Sequence, residues 1–532
     1  MQLNKIDLIC FNVKNKEDLK WDKGDILPVD KWDANAISSI NKLITKTESD
    51  WVLFRDYNLG IPDDELINEL TEKKADAWHA GLKLGLNQLP EKLNYINPVW
   101  IYNKDVPQLI CGSSFRLSLR AAIVKTSVLR KAGGIPIGYQ TMAMAGLAMG
   151  YSILKHGGVI RYCPKLAKMS ESQLILPLVD EWTFVRHFFA SKWQVWILLN
   201  SNNILSDFLC WIRTMKTKRL RISHDIHSSE IINKISQTAT ISVLAPTLDR
   251  YSYLENELSQ LEQQTILPKE VLITDQTDVD RRQKIDAAKY NVFDIRYFPQ
   301  DEKGQCLAWN KLLEEAKGEY VLFLGDDADS IPTCFIEKLY TTAIRFDADI
   351  VASNVVEIGT PNMPVNHYYY MSDTFPITLA KKATILKAGG MDMFFNRNIR
   401  ADYDLALRCH EEGALMIFDS SAIIGHHRAP VGGLRAHKAR VTTHRQAKSS
   451  VAKFTEPTSS EIFLVKKHFN KLQYRNYIRI KYFDQLVING NLFKQFLRLI
   501  FFLCNIPSFV RNYHKHKSLA DQELKKRNLL KY

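Results

Sequence analysis

The chain of 532 residues is 46% hydrophobic and 24% charged, which is typical of a soluble globular protein with roughly two to four structural units. Its eight cysteines form no CxxC pair, which argues against a zinc knuckle or a dithiol redox site and favours a reduced, cytosolic compartment. The net charge of +13 leaves nucleic acid, anionic lipid and acidic glycan open as partners.

The N-terminal stretch, Met1–Lys20, has no basic segment followed by an apolar run and a small-residue cleavage site. A secretory signal needs these features, so we predict that this stretch is an uncleaved first strand. The chain also offers no run of about eighteen uncharged apolar residues, the minimum for a helix that crosses a bilayer. We therefore expect a protein that is not integral to a membrane.

Two pairs of segments repeat along the chain. Ser49–Leu70 and Gly318–Leu339 share an aromatic residue, the apolar residues Val, Leu and Phe, acidic residues and an Ile-Pro that opens a helix. Arg120–Ile135 and Leu379–Asp392 form the second pair. Repeats at a similar spacing indicate two related α/β units.

The repeats divide the chain into four parts. We expect a first α/β unit over residues 1–170, a helical connector over 171–236, a second α/β unit over 237–450 and a basic helical tail over 451–532. In the connector, Trp182–Arg221 carries apolar residues at helical spacing. Such stripes usually pack in a core, so a packed connector is the main expectation and membrane contact is the alternative.

The second unit alternates short apolar runs with helical patterns. Alternation of this kind predicts a mostly parallel sheet covered by helices, with ligands bound at the carboxyl ends of the strands. The predicted strands are Ile241–Pro246, Val271–Asp275, Tyr320–Gly325 and Asp349–Val356, and the predicted helices include Tyr253–Gln264 and Ala308–Ala316.

Carboxylates follow the first three of these strands. They are Asp249, Asp275, Asp326, Asp327 and Asp329. Five acids at one sheet edge repel one another, and several would take up protons unless a cation lies among them. One or two carboxylates together with diphosphate oxygens form a typical magnesium site. We therefore predict a divalent cation, Mg²⁺ or Mn²⁺, at this edge.

Six segments resemble, in order, the motifs of the inverting family 2 glycosyltransferases, which have the GT-A fold. The family motifs include an opening Pro-Thr-x-Asn-Arg strand, an acidic Asp-Asp-Asp segment, a Glu-Asp-x-Asp helix start and a His-x-x-Ala-Pro-Ser-Gly-Gly-x-Arg loop. The matching segments are Thr240–Arg250, Asp275–Thr277, Gly304–Asn310, Gly318–Asp329, Ala401–Arg408 and His426–Arg435.

The resemblance implies the α/β fold class, with a duplicated GT-A (nucleotide-diphospho-sugar transferase) fold, a helical connector and C-terminal helices. It further implies a metal-dependent hexosyltransferase that transfers a sugar with inversion from a nucleotide-diphosphate donor, for which we expect a UDP-sugar. The acceptor would be a glycan or a lipid-linked molecule in surface polysaccharide synthesis.

The resemblance also assigns roles to individual residues. Asp402 would be the base that takes the proton of the acceptor hydroxyl, and Asp404 would support it. The implied metal ligands are Asp327, Asp329 and His426. The implied nucleotide-sugar contacts are Pro246, Thr247, Asp249, Arg250, Asp275, Gly304, Asn310, Asp326 and Arg435.

For some of these residues a second role stays open. Asp329 would also suit a helix cap before Ile331, and Asp404 is more typical of a residue that orients the loop or caps a helix. A lone histidine such as His426 is often structural. The glycine-rich run Arg428–Arg440 predicts a mobile lid, because its arginines can pair with phosphate oxygens.

The chain departs from the family pattern at several positions. Ala401 replaces a Glu, Gly325 stands where an Asp is common, Trp309 replaces an Arg and Asp249 replaces an Asn. None of these changes removes a residue that the metal or base role requires.

The first unit lacks most of this chemistry. Asp56 is a lone acid in place of the cluster, and Gly138–Ala143 occupies the region where Glu-Asp-x-Asp would be expected. Too few carboxylates remain there to hold a metal ion. We therefore predict a degenerate GT-A-like domain that serves as a scaffold or as an acceptor platform.

The tail is strongly basic. Residues 460–532 contain fifteen Lys or Arg and four acids, a net charge of +11. Leu486–Val510 is apolar but interrupted by Lys494 and Arg498, which indicates a helix in an anionic membrane surface or a helix packed on the second unit. No nucleic-acid-binding module accompanies the charge, so no nucleic acid partner is expected. We expect a cytoplasmic protein, peripheral on the inner face of the cell membrane.

Three functions remain in competition. An inverting glycosyltransferase is the main hypothesis, and a non-catalytic glycan-binding or assembly protein on the same scaffold is the alternative. A nucleotidyltransferase would need a glycine- and lysine-rich phosphate loop, and Leu248–Asn256 offers none. The acceptor pocket is expected near Gly359–Ser372, where Tyr368–Tyr370 would stack on a sugar or pack in the core.

Overall fold

The computed structural model describes residues 4–532, apart from 14–16, 18, 81–90, 105, 108, 168–175, 228–238, 360–366, 428–443 and 489. Two mixed sheets form the framework of the described chain, and helices cover them. One continuous hydrophobic cluster contains residues of both sheets, so the two units share a core.

The N-terminal unit contains a seven-stranded sheet of order β2-β1-β3-β6-β4-β7-β5. Its central strands are continuous buried runs, as expected for strands covered on both faces. Its elements are β1 Ile6–Phe11, β2 Ile26–Val29, α1 Ile37–Lys46, β3 Trp51–Asp56, α2 Asp64–Glu72, β4 Ala77–His79, α3 Leu93–Ile96, β5 Gly112–Ser113, β6 Ala121–Lys125, α4 Thr126–Lys131, α5 Met142–Lys155 and β7 Ile160–Tyr162.

Three helices form the connector, namely α6 Leu178–Phe188, α7 Ser191–Asn200 and α8 Ile204–Arg213. Trp182 and Ile197 are fully buried in a small second core, as a packed connector requires. Leu199 and Leu205 are nevertheless 67% and 70% exposed. The connector is therefore packed on one side and apolar on its open side.

The second unit contains a nine-stranded sheet of order β10-β9-β8-β11-β15-β13-β16-β12, with β14 paired to β16. Its elements are β8 Ile241–Thr247, α9 Tyr251–Leu261, β9 Glu270–Asp275, β10 Asp294–Pro299, α10 Gln305–Glu315, β11 Tyr320–Phe323, β12 Ala328–Asp329, α11 Phe335–Phe346, β13 Ile350–Glu357, β14 Tyr369–Met371, β15 Thr378–Lys381, α12 Lys382–Lys387, α13 Ala401–Glu411 and β16 Met416–His426. The four strands predicted from apolar runs are all present, with bounds that differ by one or two residues.

The expectation of a mostly parallel sheet needs correction. Among the described strand pairings of this sheet, four are parallel and four are antiparallel. The antiparallel pairings involve β15, β12 and β14, which need no helical crossover from their neighbours. The α/β class is as expected, but the sheet is mixed.

The two sheets repeat the same order and the same strand directions. The run β2-β1-β3-β6-β4-β7 matches β9-β8-β11-β15-β13-β16, with parallel and antiparallel pairings at the same places. The sequence repeats fall on β3 and β11 and on β6 and β15. The duplication expected from sequence is therefore present in the topology.

Four helices complete the chain: α14 His444–Ser449, α15 Ser459–His468, α16 Lys471–Phe483 and α17 Leu492–Lys526. Capping boxes begin two of them, with Thr458 and Glu461 at α15 and Asn470 and Gln473 at α16. The tail helix was expected over Leu486–Val510 and instead continues for 35 residues.

One described helix, α17, is long and apolar enough by length and composition to cross a membrane. Lys494 and Arg498 interrupt the apolar run of this helix, which is why the sequence predicted no membrane-spanning segment.

Contacts from side chains of the N-terminal unit to backbone carbonyls join the two units at β14 and just before the start of β16. Tyr102 Oη donates to the Met371 carbonyl at 2.6 Å, and Ser113 Oγ donates to the Ala414 carbonyl at 2.9 Å. Gly413 has φ +89°, and a Cβ there would lie 2.5 Å from the Cys111 carbonyl oxygen. Only glycine fits this close approach without strain.

Asp404, in the first turn of α13, fastens the tail helices to the second unit. It is fully buried, and its oxygens lie 2.8 Å from Lys467 Nζ, His468 Nε2 and Arg408 Nε. Burial alone would raise the pKa of Asp404, but these cations hold it well below its ordinary range. The side chain is thus an ionised anchor, in line with the orienting role left open above.

We expect Asp404→Ala to destabilise the protein, because it leaves buried cations without their anion. The loss should be about 3–5 kcal/mol. Thermal unfolding followed by fluorescence measures it, and Asp301→Ala is the control because the Asp301 side chain is 83% exposed. Equal unfolding midpoints for the two variants would contradict an anchoring role.

Candidate functional site

The carboxyl ends of three strands meet at one edge of the second sheet. Thr247 at the end of β8 pairs with Asp275 at the end of β9, and Leu244 pairs with Phe323 at the end of β11. The segments that follow these strands carry Asp249, Asp275, Asp326 and Asp327. The predicted gathering of acids at this edge is therefore observed for these four residues. Pro246 and Thr247 are the last two residues of β8 and lie beside them.

Asp249 occupies the left-handed region, with φ +59°. Asp and Asn tolerate this conformation better than most residues, which explains why either residue type can stand here. Its backbone NH donates to Thr277 Oγ1 at 2.9 Å, and its carboxylate lies 2.8 Å from Arg281 Nη1. Asp249 is thus held at the mouth of the site by the turn after β9.

Asp275 is fully buried, and its oxygens accept hydrogen bonds from protein groups only. Oδ2 accepts from Tyr251 Oη and Tyr297 Oη, both at 2.6 Å, and Oδ1 accepts from the Thr277 NH at 2.9 Å. The sequence predicted that Asp275 contacts the edge of the nucleotide base. In the structure, both oxygens of its carboxylate already accept hydrogen bonds. Asp275 instead fixes the turn at Gln276 and Thr277.

The turn after β9 is linked to the start of α10. The Gly304 NH donates to Gln276 Oε1 at 2.6 Å. A Cβ on Gly304 would lie 2.1 Å from Asn396 Nδ2, so a larger residue would force the Asn396 side chain to move. The glycine predicted from the motif is needed for this close packing.

Arg250 bridges the two acids that follow β11. Its Nη1 lies 2.7 Å from Asp326 Oδ1 and 2.9 Å from Asp327 Oδ2. The Leu248 NH also donates to Asp326 Oδ2 at 3.3 Å. The start of α9 is therefore tied to the end of β11 by a buried guanidinium. The sequence had assigned Arg250 only to the donor.

The two acids differ in their protonation. Burial raises the pKa of Asp326 to about 6, against the opposing effect of Arg250. Burial would also raise the pKa of Asp327, but hydrogen bonding and charge from His426, with Arg250, bring it below its ordinary value. Asp327 is therefore the more firmly ionised of the pair.

His426 faces Asp327 across a short strand pairing. β12 pairs with β16 so that Ala328 lies opposite His426, and His426 Nε2 lies 3.2 Å from Asp327 Oδ1. The hydrogen bond with Asp327 raises the pKa of His426. The structure thus brings together two of the three residues predicted as metal ligands.

Asp329, the third predicted ligand, points toward α9 instead. Its Oδ1 accepts from Asn256 Nδ2 at 2.9 Å and from Gln260 Nε2 at 2.8 Å, and its Oδ2 lies 2.6 Å from His427 Nε2. A carboxylate with both oxygens occupied in this way has little capacity for a metal ion. We therefore infer that Asp329 has a structural role and is not a metal ligand.

Asn310 also differs from its predicted role. Its Nδ2 donates to the Met391 carbonyl at 2.9 Å, and its Oδ1 accepts from the Met391 NH at 2.7 Å. These bonds hold the turn at Gly389 and Gly390 rather than a nucleotide. Arg435 and the lid predicted over Arg428–Arg440 lie outside the described residues.

Glu257 is a buried acid that the sequence did not reveal as part of the site. It lies on α9 and is fully buried, and burial together with the charges of Asp326 and Asp327 raises its pKa well above its ordinary value. Its only sequence signal is its place among the apolar positions Leu254 and Leu258 of an amphipathic helix. A neutral Glu257 adds no further charge beside the acid pair.

Asp402, the predicted base, lines a cavity beside the end of β11, and none of the described acids Asp249, Asp275, Asp326 and Asp327 lines it. Phe323 pairs with Thr378 in antiparallel register, so the segment Asp373–Pro376 runs beside the end of β11. That segment and Asp402 line one cavity of 840 Å³. Tyr403, which follows Asp402, donates through its Oη to the Val99 carbonyl at 2.5 Å. The N-terminal unit therefore helps to position the start of α13.

The donor atoms at Asp327 and His426 fit a divalent cation. Among the residues described here, no group of three or more His, Cys, Asp or Glu side chains is arranged around a common metal position. Magnesium and manganese sites that accept a diphosphate need only one or two protein carboxylates, because phosphate oxygens and water complete the coordination. The adjacent carboxylate and imidazole supply such a partial set.

The acids do not depend on a metal ion alone for charge balance. Arg250 neutralises part of the charge of Asp326 and Asp327, and Arg281 pairs with Asp249. The sequence had predicted that only a divalent cation could relieve this repulsion. The fold instead provides internal cations, so the edge is stable before any ligand binds.

Comparison with known proteins shows what this region is similar to. Residues 242–404 match the family described as Glycosyl transferase family 2. A segment of 115 residues, 21% of this chain, is 32% identical to cholesterol galactosyltransferase of Borreliella burgdorferi and covers 32% of that protein. A segment of 123 residues, 23% of this chain, is 28% identical to the uncharacterized glycosyltransferase YibD of Escherichia coli and covers 35% of it.

The chain therefore matches about a third of the length of both relatives. Among solved structures, S. aureus TarS 1–349 in complex with UDP is 16% identical, with 36% of this chain and 61% of that chain covered and a TM-score of 0.32. A score at that level supports no statement about the site in this protein.

We expect Arg250→Met to make stability more dependent on pH. Loss of the guanidinium raises the pKa of Asp326 above about 6, and a carboxyl with a raised folded pKa stabilises the fold only at low pH. The unfolding midpoint of the variant should therefore fall further below that of the unchanged protein as pH rises from about 6 to about 8.

Arg281→Met is the matched control, because the Arg281 side chain is 51% exposed and its pairing with Asp249 is screened by solvent. Its midpoint should follow the unchanged protein at every pH. Parallel pH curves for Arg250→Met and the unchanged protein would show that Arg250 does not balance the buried acids.

Proposed function

We propose that this protein is an inverting glycosyltransferase, because residues 242–404 match the family described as Glycosyl transferase family 2. It would transfer a sugar from a nucleotide-diphosphate donor, a UDP-sugar, to a glycan or lipid-linked acceptor in surface polysaccharide synthesis. One observation carries the proposal. The acids Asp326 and Asp327, held by Arg250, lie at the sheet edge that also borders the cavity of Asp402.

The donor diphosphate would bind beside Asp327 and His426. These two residues would hold Mg²⁺ or Mn²⁺, which would offset the negative charge of the leaving diphosphate. Arg250 would keep Asp327 ionised and oriented toward this position. The turn at Gln276 and Thr277, fixed by Asp275, would receive the nucleoside, and Arg435 would meet the phosphates from the loop after β16.

Asp402 would act as the base. It is exposed on the cavity wall in the first turn of α13, so it can reach an acceptor hydroxyl. Its carboxylate would accept the hydroxyl proton while the acceptor oxygen attacks the anomeric carbon from the side opposite the diphosphate. Asp404, buried in the same turn two residues after Asp402, would keep α13 in place rather than take part in the proton transfer.

The N-terminal unit would be a degenerate GT-A-like scaffold. Its single acid at the matching position, Asp56, is already bonded to Asn12 Nδ2 at 3.0 Å and to Arg120 Nε at 3.0 Å. This unit keeps the strand order of its partner without its acid pair. Its contribution to the cavity through Val99 and Trp100 supports a role as acceptor platform.

The name of one relative bears on the acceptor. Cholesterol galactosyltransferase is named for a membrane lipid that receives galactose. The exposed apolar face of the connector and tail in this protein supports a peripheral location on the inner face of the cell membrane, where such acceptors are found. A lipid-linked acceptor is therefore included in the proposal.

We expect Asp327→Asn to lower metal-dependent UDP release from a panel of nucleotide sugars by about 100-fold or more, because stabilisation of the leaving group is worth several kcal/mol. The assay measures free UDP with Mn²⁺, with Mg²⁺ and with chelator. Asp301→Asn is the control, since that carboxylate is largely exposed. Unchanged release by Asp327→Asn would defeat the enzyme assignment.

We expect Asp402→Asn to lower sugar transfer by about 100- to 10,000-fold, because the amide cannot accept the hydroxyl proton. Donor-dependent thermal stabilisation in the presence of Mn²⁺ should persist in this variant. Full transfer activity in Asp402→Asn would remove the base role. Failure of any nucleotide sugar to stabilise the unchanged protein would favour the non-catalytic, glycan-binding alternative.

A further inference from the structure

We propose that the acceptor is a lipid-borne glycan that reaches Asp402 from an anionic membrane bound by the connector and tail helices. Its sugar head would enter the cavity beside Asp402, and its lipid would remain in the bilayer. This inference rests on the glycosyltransferase function proposed above. It adds the class of acceptor and the face of the molecule from which the acceptor arrives.

The cavity of Asp402 is built by every part of the chain. Trp100 comes from the N-terminal unit, Trp193 from the connector, Phe375 and Asp402 from the second unit, and Tyr477 from the tail helices. Its volume of 840 Å³ lies within the range of sites that enclose small molecules. This cavity is lined by residues other than those assigned to the donor, and it has room for an acceptor.

The walls of the cavity combine carboxylates with aromatic rings. Asp373 and Asp402 offer oxygens that accept hydrogen bonds from hydroxyls, while Trp100, Trp193 and Tyr477 offer flat apolar faces. Two cations also line the wall. The Arg400 guanidinium is paired with Glu461 at 3.2 Å, and Lys155 Nζ lies 4.9 Å from the centroid of the Trp100 ring. This chemistry suits an uncharged sugar ring with hydroxyls at its edge and apolar faces.

The cavity reaches the protein surface next to exposed apolar residues. Asp484 in its wall is exposed and follows Phe483, which is 44% exposed. Trp196, one turn after the wall residue Trp193, contacts the Phe483 ring with centroids 4.4 Å apart. Val487, just beyond Asp484, is 58% exposed. The opening is thus bordered by apolar groups of α7 and of the loop before α17.

The helices α7, α8 and α17 carry many exposed apolar side chains, which together we call the apolar surface. It consists of residues on the open sides of α7, α8 and α17, of which Phe493 is 67% exposed. Its members include Leu199, Leu205, Phe208, Phe493, Phe496 and Leu503. Apolar side chains exposed together in this way mark an interaction site rather than an ordinary protein surface.

The opposite side of α17 is packed on the protein. Arg498 is fully buried and donates to the carbonyls of Gln485 at 2.7 Å and Lys453 at 2.7 Å. Phe509 and Ala520 are also buried on this side. A helix held along its length by one face can lie in a membrane surface with its other face down. The sequence left open whether the tail helix lies in a membrane surface or packs on the second unit. One face of α17 is packed and the other is exposed, so both arrangements can hold together.

The charges around the apolar surface select an anionic bilayer. Between Ser191 and Ile222 the only acid is Asp207, which is buried and paired with Lys92 at 2.9 Å, and no acid occurs between Gln485 and Ala520. The exposed charges of these two segments are all basic, among them Lys192, Arg213, Lys216, Lys218, Lys494 and Arg511. Basic residues around an apolar face bind anionic headgroups.

The same charges argue against a second copy of the chain as the occupant. In a symmetric dimer each patch faces its own equivalent, so the basic residues of one protomer would meet those of the other. Like charges brought together in this way oppose association. A bilayer that contains anionic lipid has the complementary sign.

Vesicle cosedimentation tests the membrane part of the proposal with the full-length protein. We expect binding to vesicles of phosphatidylcholine with phosphatidylglycerol and much weaker binding to phosphatidylcholine alone. The double substitution Phe493→Ser, Phe496→Ser should weaken binding to the anionic vesicles by about tenfold or more, because two exposed rings no longer enter the bilayer. Ile137→Ser, at a position of the N-terminal unit that is 71% exposed, is the matched control.

Transfer assays test the acceptor part. Each sugar of a panel is offered as a glycosyl diacylglycerol in anionic vesicles and as the water-soluble methyl glycoside. We expect the vesicle-borne form to be used at least about tenfold faster, because binding to the membrane raises the effective concentration of enzyme and acceptor. Trp193→Ala should lower the ratio of transfer to donor hydrolysis, and Trp211→Ala, a partly buried connector tryptophan outside the cavity, should not.

Absence of cosedimentation with anionic vesicles would overturn the proposal. Equal or faster use of the methyl glycosides would do the same, as would metal-dependent UDP release without transfer to any vesicle-borne sugar. A failure of the underlying function is distinguishable, because then no nucleotide sugar is hydrolysed even without acceptor, whereas vesicle binding is measured independently.

Discussion

The ion pairs of Arg250 with Asp326 and Asp327 are the constraint on which the site depends. They join the start of α9 to the end of β11, and they allow two carboxylates to lie close together in a buried position. Without a fixed cation there, burial and mutual repulsion would raise the pKa of the pair and disfavour ionisation of both carboxyls. His426 then meets an ionised Asp327, because β12 and β16 pair beside it. The donor site is thus organised by internal charge before a ligand arrives.

Much of this arrangement could be predicted from the sequence, because its signals lie within short segments of the chain. The strands that carry the acids are short apolar runs, and each acid stands at a fixed place after its strand, so the sheet edge could be predicted. The repeats on β3 and β11 likewise indicated the duplicated topology. The mixed character of the sheet could not be foreseen, because the antiparallel strands β12 and β14 are only two and three residues long.

The directions in which the side chains point could not be predicted from the sequence. Asp329 and Asn310 stand at motif positions, yet one binds α9 and the other binds the Met391 backbone. Arg250 pairs with acids 76 and 77 residues away, and a spacing rule gives no sign of that contact. The cavity of Asp402 is assembled from four distant parts of the chain, so only the tertiary structure reveals it.

The shared construction of that cavity separates two kinds of evolutionary change. The donor edge is made by the second unit alone, whereas Trp100, Trp193 and Tyr477 come from parts outside it. Under the function proposed above, substitutions in those outer parts would change which molecule is glycosylated without altering the residues that would bind the nucleotide. Conversely, a chimaera that grafted only the second unit onto a foreign scaffold would inherit the donor chemistry and lose its recognition of the molecule to be modified.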